Sequence, residues 1–261
     1  MTPRRLVFCA CALIPLSLLI TGCKPPDQPA VVSIIGAILI DGTGGPPISD
    51  SVVTLESGRI RAAGPRDSLP VPPEAEKIDG RGKFLAPAPI NVAQEALKVN
   101  LAIPKVASLR DVRAAVDAGA TACLHMIRDT DAIDSGFIVR LRDLRIVFIP
   151  MLSDEQDAAR LAMAKRNTKR LADNGVLIAV GASGDIYREM EMLVAAGISP
   201  MDVLVAATRN GAIALHTLDQ AGTIEPGKQA DLLLLFANPA EDIGNFRHVE
   251  RAMAQGQWLR R

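Results

Sequence analysis

The stretch LAPAPINVAQE, Leu85 to Glu95, divides two textures of this chain. Before it, from Val31 to about Asp79, short β-rich runs alternate with turn residues. SVVTLESGRIRAAG (Ser51–Gly64) is the clearest case: two β-rich runs flank Ser57-Gly58, a two-residue hairpin signal. After it, from about Ile90 to Gly222, the pattern becomes strand–helix alternation, the signature of parallel βα units. Strands are expected at Ala88–Ala93, Val99–Ile103, Ala120–His125, Ile146–Met151 and Val176–Gly181. Helices are expected at Ser108–Ala118, Thr130–Leu144, Asp154–Asn174, Ile186–Ala196 and Pro200–Leu215, with Ala118-Gly119 and Asn174-Gly175 as stops. Beyond Gly222, ADLLLLF (Ala230–Phe236) and AMAQGQWL (Ala252–Leu259) return to the β texture.

With 261 residues, the chain has ample length for one large core or two small ones. Lys plus Arg and Asp plus Glu balance at 29 each, so no nucleic-acid partner is expected. At the N-terminus, Arg4 and Arg5 precede an apolar run from Leu6 to Ile20 that is short of the roughly 20 residues a membrane span needs. Leu19-Ile20-Thr21-Gly22-Cys23 resembles a bacterial lipobox. The resemblance implies a signal peptide over 1–22, a lipidated Cys23 and a Pro-rich tether over 23–30. Lys24 then points to the periplasmic face of the outer membrane, with the membrane as a partner through the anchor. Cys9 and Cys11 leave with the signal. Cys123 remains as the one free thiol, read as a small buried hydrophobe in TACLHM.

Five stretches, Gly36–Pro65, Ile78–Ile90, Ala114–Asp129, Ala206–His216 and Gly222–Leu235, resemble words of the amidohydrolase superfamily, especially its imidazolonepropionase-like and dipeptidase-like members. The resemblance implies an α/β fold: a TIM-like (β/α) barrel plus a small composite β-sandwich formed by N- and C-terminal strands. It divides the chain into a sandwich over 31–86 and 222–261 and a barrel over 87–221. A complete barrel takes roughly 250 residues and eight βα units. Only about five are present, so the barrel is expected to be partial. The missing strands, second to fourth, fall between Glu95 and Lys105. Such a sheet is expected to have two unpaired edges and inner faces without partners; it can close smaller, be covered at its edge by Lys98–Lys105, or pair with a second copy, and a homo-oligomer is favoured.

The family hydrolyses C–N bonds with one or two metal ions that activate water. Its H-x-H pair on the first strand falls on Ala93 and Glu95. Its fifth-strand His falls on Lys105, and its sixth-strand His on His125. Its eighth-strand Asp, metal ligand and general base, falls on Ser183, with Asp185 two residues later. Only three histidines occur in the whole chain, His125, His216 and His248, few for a multi-histidine centre. His216 is read as structural at a helix end and His248 as a surface residue. The expectation is an amidohydrolase-like lipoprotein with lost or severely weakened catalysis and no cofactor. The alternatives are a C–N hydrolase with a non-standard zinc or other divalent site at His125, Glu95 and Asp185, or a non-catalytic envelope binding protein. His125 is otherwise an imidazole satisfied by a neighbour such as Asp129.

Overall fold

A computed structural model describes residues 31–260. The signal, Cys23 and the tether lie outside the described residues.

The β-rich segments build one sheet from both ends of the chain. Strands β1 (Val31–Leu39), β2 (Ile48–Glu56) and β3 (Arg59–Pro65) are antiparallel neighbours. Ser57 and Gly58 turn the β2–β3 hairpin with φ of 50° and 80°, the positive pair that matches strand twist. Strands β4 (Glu76–Asp79) and β5 (Phe84–Pro87) run parallel to β1. Strand β9 (Leu232–Leu235) pairs antiparallel with β5, followed by β10 (Val249–Ala254) and β11 (Gln257–Trp258). The order is β11-β10-β9-β5-β1-β2-β3, with β4 beside β1. Ile34, Leu39, Val53, Leu55, Leu85 and Leu234 form its buried core. Burying each such side chain is worth about 1.5–3 kcal/mol.

The middle of the chain is a partial, unclosed TIM-like barrel. Strands β6 (Ala122–Leu124), β7 (Val147–Ile149) and β8 (Leu177–Ile178) form a parallel sheet in that order. Helices α2 (Leu109–Asp117), α3 (Ser135–Asp143), α4 (Ala158–Asp173), α5 (Ile186–Val194) and α6 (Pro200–Ala207) belong to its βα units. The outward residues Cys123, Phe148 and Ile178 join a core that includes Val112, Leu141, Leu171 and Val203 from those helices.

Three expectations need correction. Ala88–Ala93, expected as a strand, is not one: Val92 opens a helix, α1 (Val92–Lys98). Val99–Ile103 is not a strand; the only pairing nearby is an isolated parallel bridge between Lys105 and Leu124. The helix expected over Pro200–Leu215 breaks at Thr208 (φ −122°, ψ −86°) into α6 and α7 (Arg209–Ala214).

The bare inner face and unpaired edges are not found either. Inward-facing Ala122, Val147, Ile149 and Ala179 pack in one cluster with Val92 at the start of α1 and Ala214 of α7. Two helices therefore cover the face that missing strands would have enclosed. On the β6 edge, Leu124 N donates to Pro104 O and Val106 N donates to Leu124 O, each at 2.9 Å. On the β8 edge, Asn210 Nδ2 donates to Ile178 O at 2.8 Å and Val92 N to Val180 O at 3.0 Å. Asn91 then exchanges two hydrogen bonds with the backbone of Ala182, at 3.0 and 3.1 Å. The sheet is left open in topology, yet its edge polar groups are paired.

Candidate functional site at the carboxyl ends of the parallel strands

In a parallel βα fold, chemistry gathers where strands end and loops begin. Strand β6 ends into His125, whose φ is 67° and whose N–H donates to Ile149 O at 2.8 Å. Strand β7 ends into Met151, φ 51°, which starts a 3-10 turn at Leu152–Asp154. Two non-glycine residues in left-handed backbone thus sit at consecutive strand ends, a strain of about 1–3 kcal/mol each that the surrounding structure holds. The β8 segment runs on through Gly181 to Ser183.

These loops are wired together. Ser183 Oγ donates to Asp154 Oδ2 at 2.6 Å. The 3-10 turn carrying Asp154 is fixed from below by Glu189 of α5, which is fully buried. Glu189 accepts hydrogen bonds from Leu152 N at 2.8 Å and Ser153 N at 2.7 Å. Burial raises the Glu189 carboxyl above the ordinary range, against the pull of those N–H groups. Arg128 pairs with Glu155 beside the turn.

His125 is half-buried at this mouth. Burial, then Arg128 and Lys105, lower its imidazole below the usual value, while Asp154 and Glu155 pull it upward. Asp129 does not satisfy it: Asp129 Oδ1 accepts from Leu109 N at 3.0 Å, at the start of α2.

The other positions singled out in the sequence are occupied elsewhere. Ala93 has no donor atom and packs on the inner face of the sheet. Glu95 lies on α1 and pairs with Lys98 at 2.7 Å. Lys105 is exposed, beside Leu124. Asp185 caps α5, accepting from Tyr187 N at 2.9 Å, and pairs with Arg247 at 2.7 Å. Arg247 holds the Asp185 carboxyl below the usual range. The set His125, Glu95 and Asp185 is therefore not brought together. Among the described residues, no group of three or more His, Cys, Asp or Glu is placed to hold a metal ion. A divalent metal that needs about three such ligands does not fit these side chains. Cys123 is buried and its thiol is pushed up to about 11 by burial, as expected of an inert hydrophobe.

Sequence reasoning missed Asp154 and Glu189. Asp154 had a signal, a carboxylate just past the apolar run IVFIP, where barrel loops carry function. Glu189 had none, because REMEM reads as a solvated helix face.

The model of the amidohydrolase family matches residues 89–259. The chain belongs to the amidohydrolase family, whose members typically use divalent metals such as zinc. Adenine deaminase 4 of Rhizobium meliloti (strain 1021) is 34% identical over 93 residues, 36% of this chain and 14% of that protein. A 5-methylthioadenosine/S-adenosylhomocysteine deaminase of Teredinibacter turnerae is 29% identical over 134 residues, 45% of this chain and 29% of that protein. The chain thus spans less than a third of the length of either relative. Among solved structures, molinate hydrolase aligns with a TM-score of 0.74 at 16% identity, over 89% of this chain and 95% of that one. Phenylurea hydrolase B aligns with a TM-score of 0.72 at 16% identity, over 88% and 96%. At such identities the likeness is one of fold.

Proposed function

We propose that this amidohydrolase-family chain is a lipid-anchored envelope protein in which metal-dependent C–N hydrolysis is lost or severely weakened. The observation that carries this reading is the rewiring of the mouth. Where the family places an eighth-strand carboxylate on the metal, Ser183 donates its proton to Asp154. Where the family places a histidine, Lys105 brings a positive charge that repels a cation. One imidazole, His125, does not make a catalytic site, which needs about three ligands and an open position for water. The chain then serves as a binding or structural protein on a retained scaffold.

The anchor is Cys23, in the Ile-Thr-Gly-Cys word that follows the apolar run. It holds the protein at the bacterial cell envelope, on the periplasmic face of the outer membrane. More than one acyl chain is needed for stable attachment. Cys23→Ser is expected to give an unprocessed or lipid-free protein in metabolic lipid labelling. A wild-type protein without lipid label would refute the anchor.

Hydrolysis is tested with adenine, N-acyl amino acids and dipeptides in the presence of zinc. The expected result is turnover indistinguishable between wild type, Glu95→Ala and His125→Ala. Turnover that His125→Ala abolishes would instead favour a working single-metal hydrolase.

A further inference from the structure

We propose that the groove between the outer face of α4 and the end of α5 binds a multiply charged oxyanion of the diphosphate type, held by Lys165, Arg166 and Arg170. The chain as a whole is balanced, with 29 basic and 29 acidic residues. The groove is not. Its volume is about 400 Å³, and four basic side chains of α4, Lys165, Arg166, Lys169 and Arg170, line it together. The carboxylates in and beside it are Asp173, which takes Lys169 at 2.5 Å, and Asp131, 3.8 Å from Arg166. Four cations against these two carboxylates leave an excess of two positive charges. Among the described residues, Lys165 has no ion-pair partner. Arg170 reaches only carbonyls, Asp131 O at 2.6 Å and Ile133 O at 2.7 Å. Those two bonds fix its guanidinium and use two of its five N–H groups, so three remain for a ligand.

The spacing argues against an ordinary solvated helix face. Lys165 and Lys169, and Arg166 and Arg170, are like charges four residues apart. At that spacing Cβ atoms lie about 5–6 Å from each other, and the repulsion weakens a helix. Basic residues can offset the macrodipole at a helix C-terminus, but only within the last turn. Of the four, only Arg170 is in the last turn of α4. An anion seated among them relieves the repulsion. The facing wall admits one, because Ala195 and Ala196 bring small, uncharged side chains. The carbonyls that end α5 are already capped, Glu191 O by Ala195 N and Met192 O by Ala196 N, each at 2.9 Å. A diphosphate offers oxygens to guanidinium and ammonium donors at the same time, and its charge matches the local excess.

The test is calorimetric titration of the full chain, in a mild non-ionic detergent, with inorganic pyrophosphate. It is run at low ionic strength and again at about 0.15 M salt, where exposed charges are screened beyond about 8 Å. Saturable one-to-one binding that weakens with salt is expected. Lys165→Glu and Arg166→Ala are each expected to weaken it about tenfold or more. Arg61→Ala, on β3, is expected to leave it unchanged. Lys165→Glu is also expected to raise the urea midpoint of the anion-free protein, since it turns a repulsive pair with Lys169 into an attractive one. A wild type that does not bind pyrophosphate would overturn the proposal. So would binding that survives both substitutions with the fold intact. Attachment to phosphatidylglycerol vesicles through these residues, without pyrophosphate binding, would overturn it in favour of a membrane contact.

Discussion

The Ser183 hydroxyl ties together two of the loops at the strand ends. At 2.6 Å from Asp154 it acts as a donor, so it bridges the loops that follow β7 and β8. The turn that carries Asp154 is held by Glu189, whose buried carboxyl group accepts two backbone N–H groups, those of Leu152 and Ser153. Replacing it by Gln leaves an amide NH₂ facing donors. Glu189→Gln is expected to cost about 1–3 kcal/mol in denaturant unfolding. His125 adds a pH dependence with a definite sign. Its folded-state value lies below the ordinary 6.5, so the fold favours the neutral ring. The stability it contributes is present above about pH 6.5 and is lost as pH falls through the lower folded value. His125→Gln is expected to flatten that part of the stability profile, measured by urea unfolding between about pH 7 and about pH 5. Of this wiring, the sequence pointed to Ser183 and His125, because each sits in a recognisable word. The partners were not legible, since a Ser183–Asp154 contact spans separate loops and no local pattern encodes it.

At the scale of elements, α1 is the piece that keeps an open barrel from exposing its interior. Its N-terminus crosses the sheet at Gly181, where a Cβ would lie 2.4 Å from Ile149 Cγ2 and 3.2 Å from Ala93 N. Gly181→Ala is therefore expected to destabilise by about 1–3 kcal/mol through overpacking, read as a lowered urea midpoint. Helix α2 is set by a capping box, with Asp111 N donating to Ser108 Oγ and Ser108 N donating to Asp111. Ser108→Ala is expected to cost about 1 kcal/mol in the same assay. The turns and caps were readable beforehand: Ser57-Gly58, Ala118-Gly119 and Asn174-Gly175 all end their elements as their residue types require. Helix α1 was misread although Ala, Gln, Glu, Leu and Lys are all good helix formers. The strand expectation followed the preceding word, and a short helix is too brief for periodicity to decide. Gly181 did carry a signal, since a glycine inside a strand run often marks a close backbone approach.

The whole molecule joins a sheet made from both chain ends to a barrel that lacks part of its circuit. The joining was legible only through family likeness, because the β5–β9 pairing connects residues far apart in sequence. The partial barrel was legible from its strand count. The way α1 and α7 cover the inner face was not, because it depends on packing between remote segments. The proposed loss of catalysis rests on the mouth, where among the described residues no three His, Cys, Asp or Glu are placed to hold a metal ion. The most direct measurement is the metal-to-protein ratio of the purified chain after incubation with zinc and removal of excess. The account predicts a ratio well below one that His125→Ala does not change. One tightly held zinc per chain, lost on His125→Ala, would contradict it.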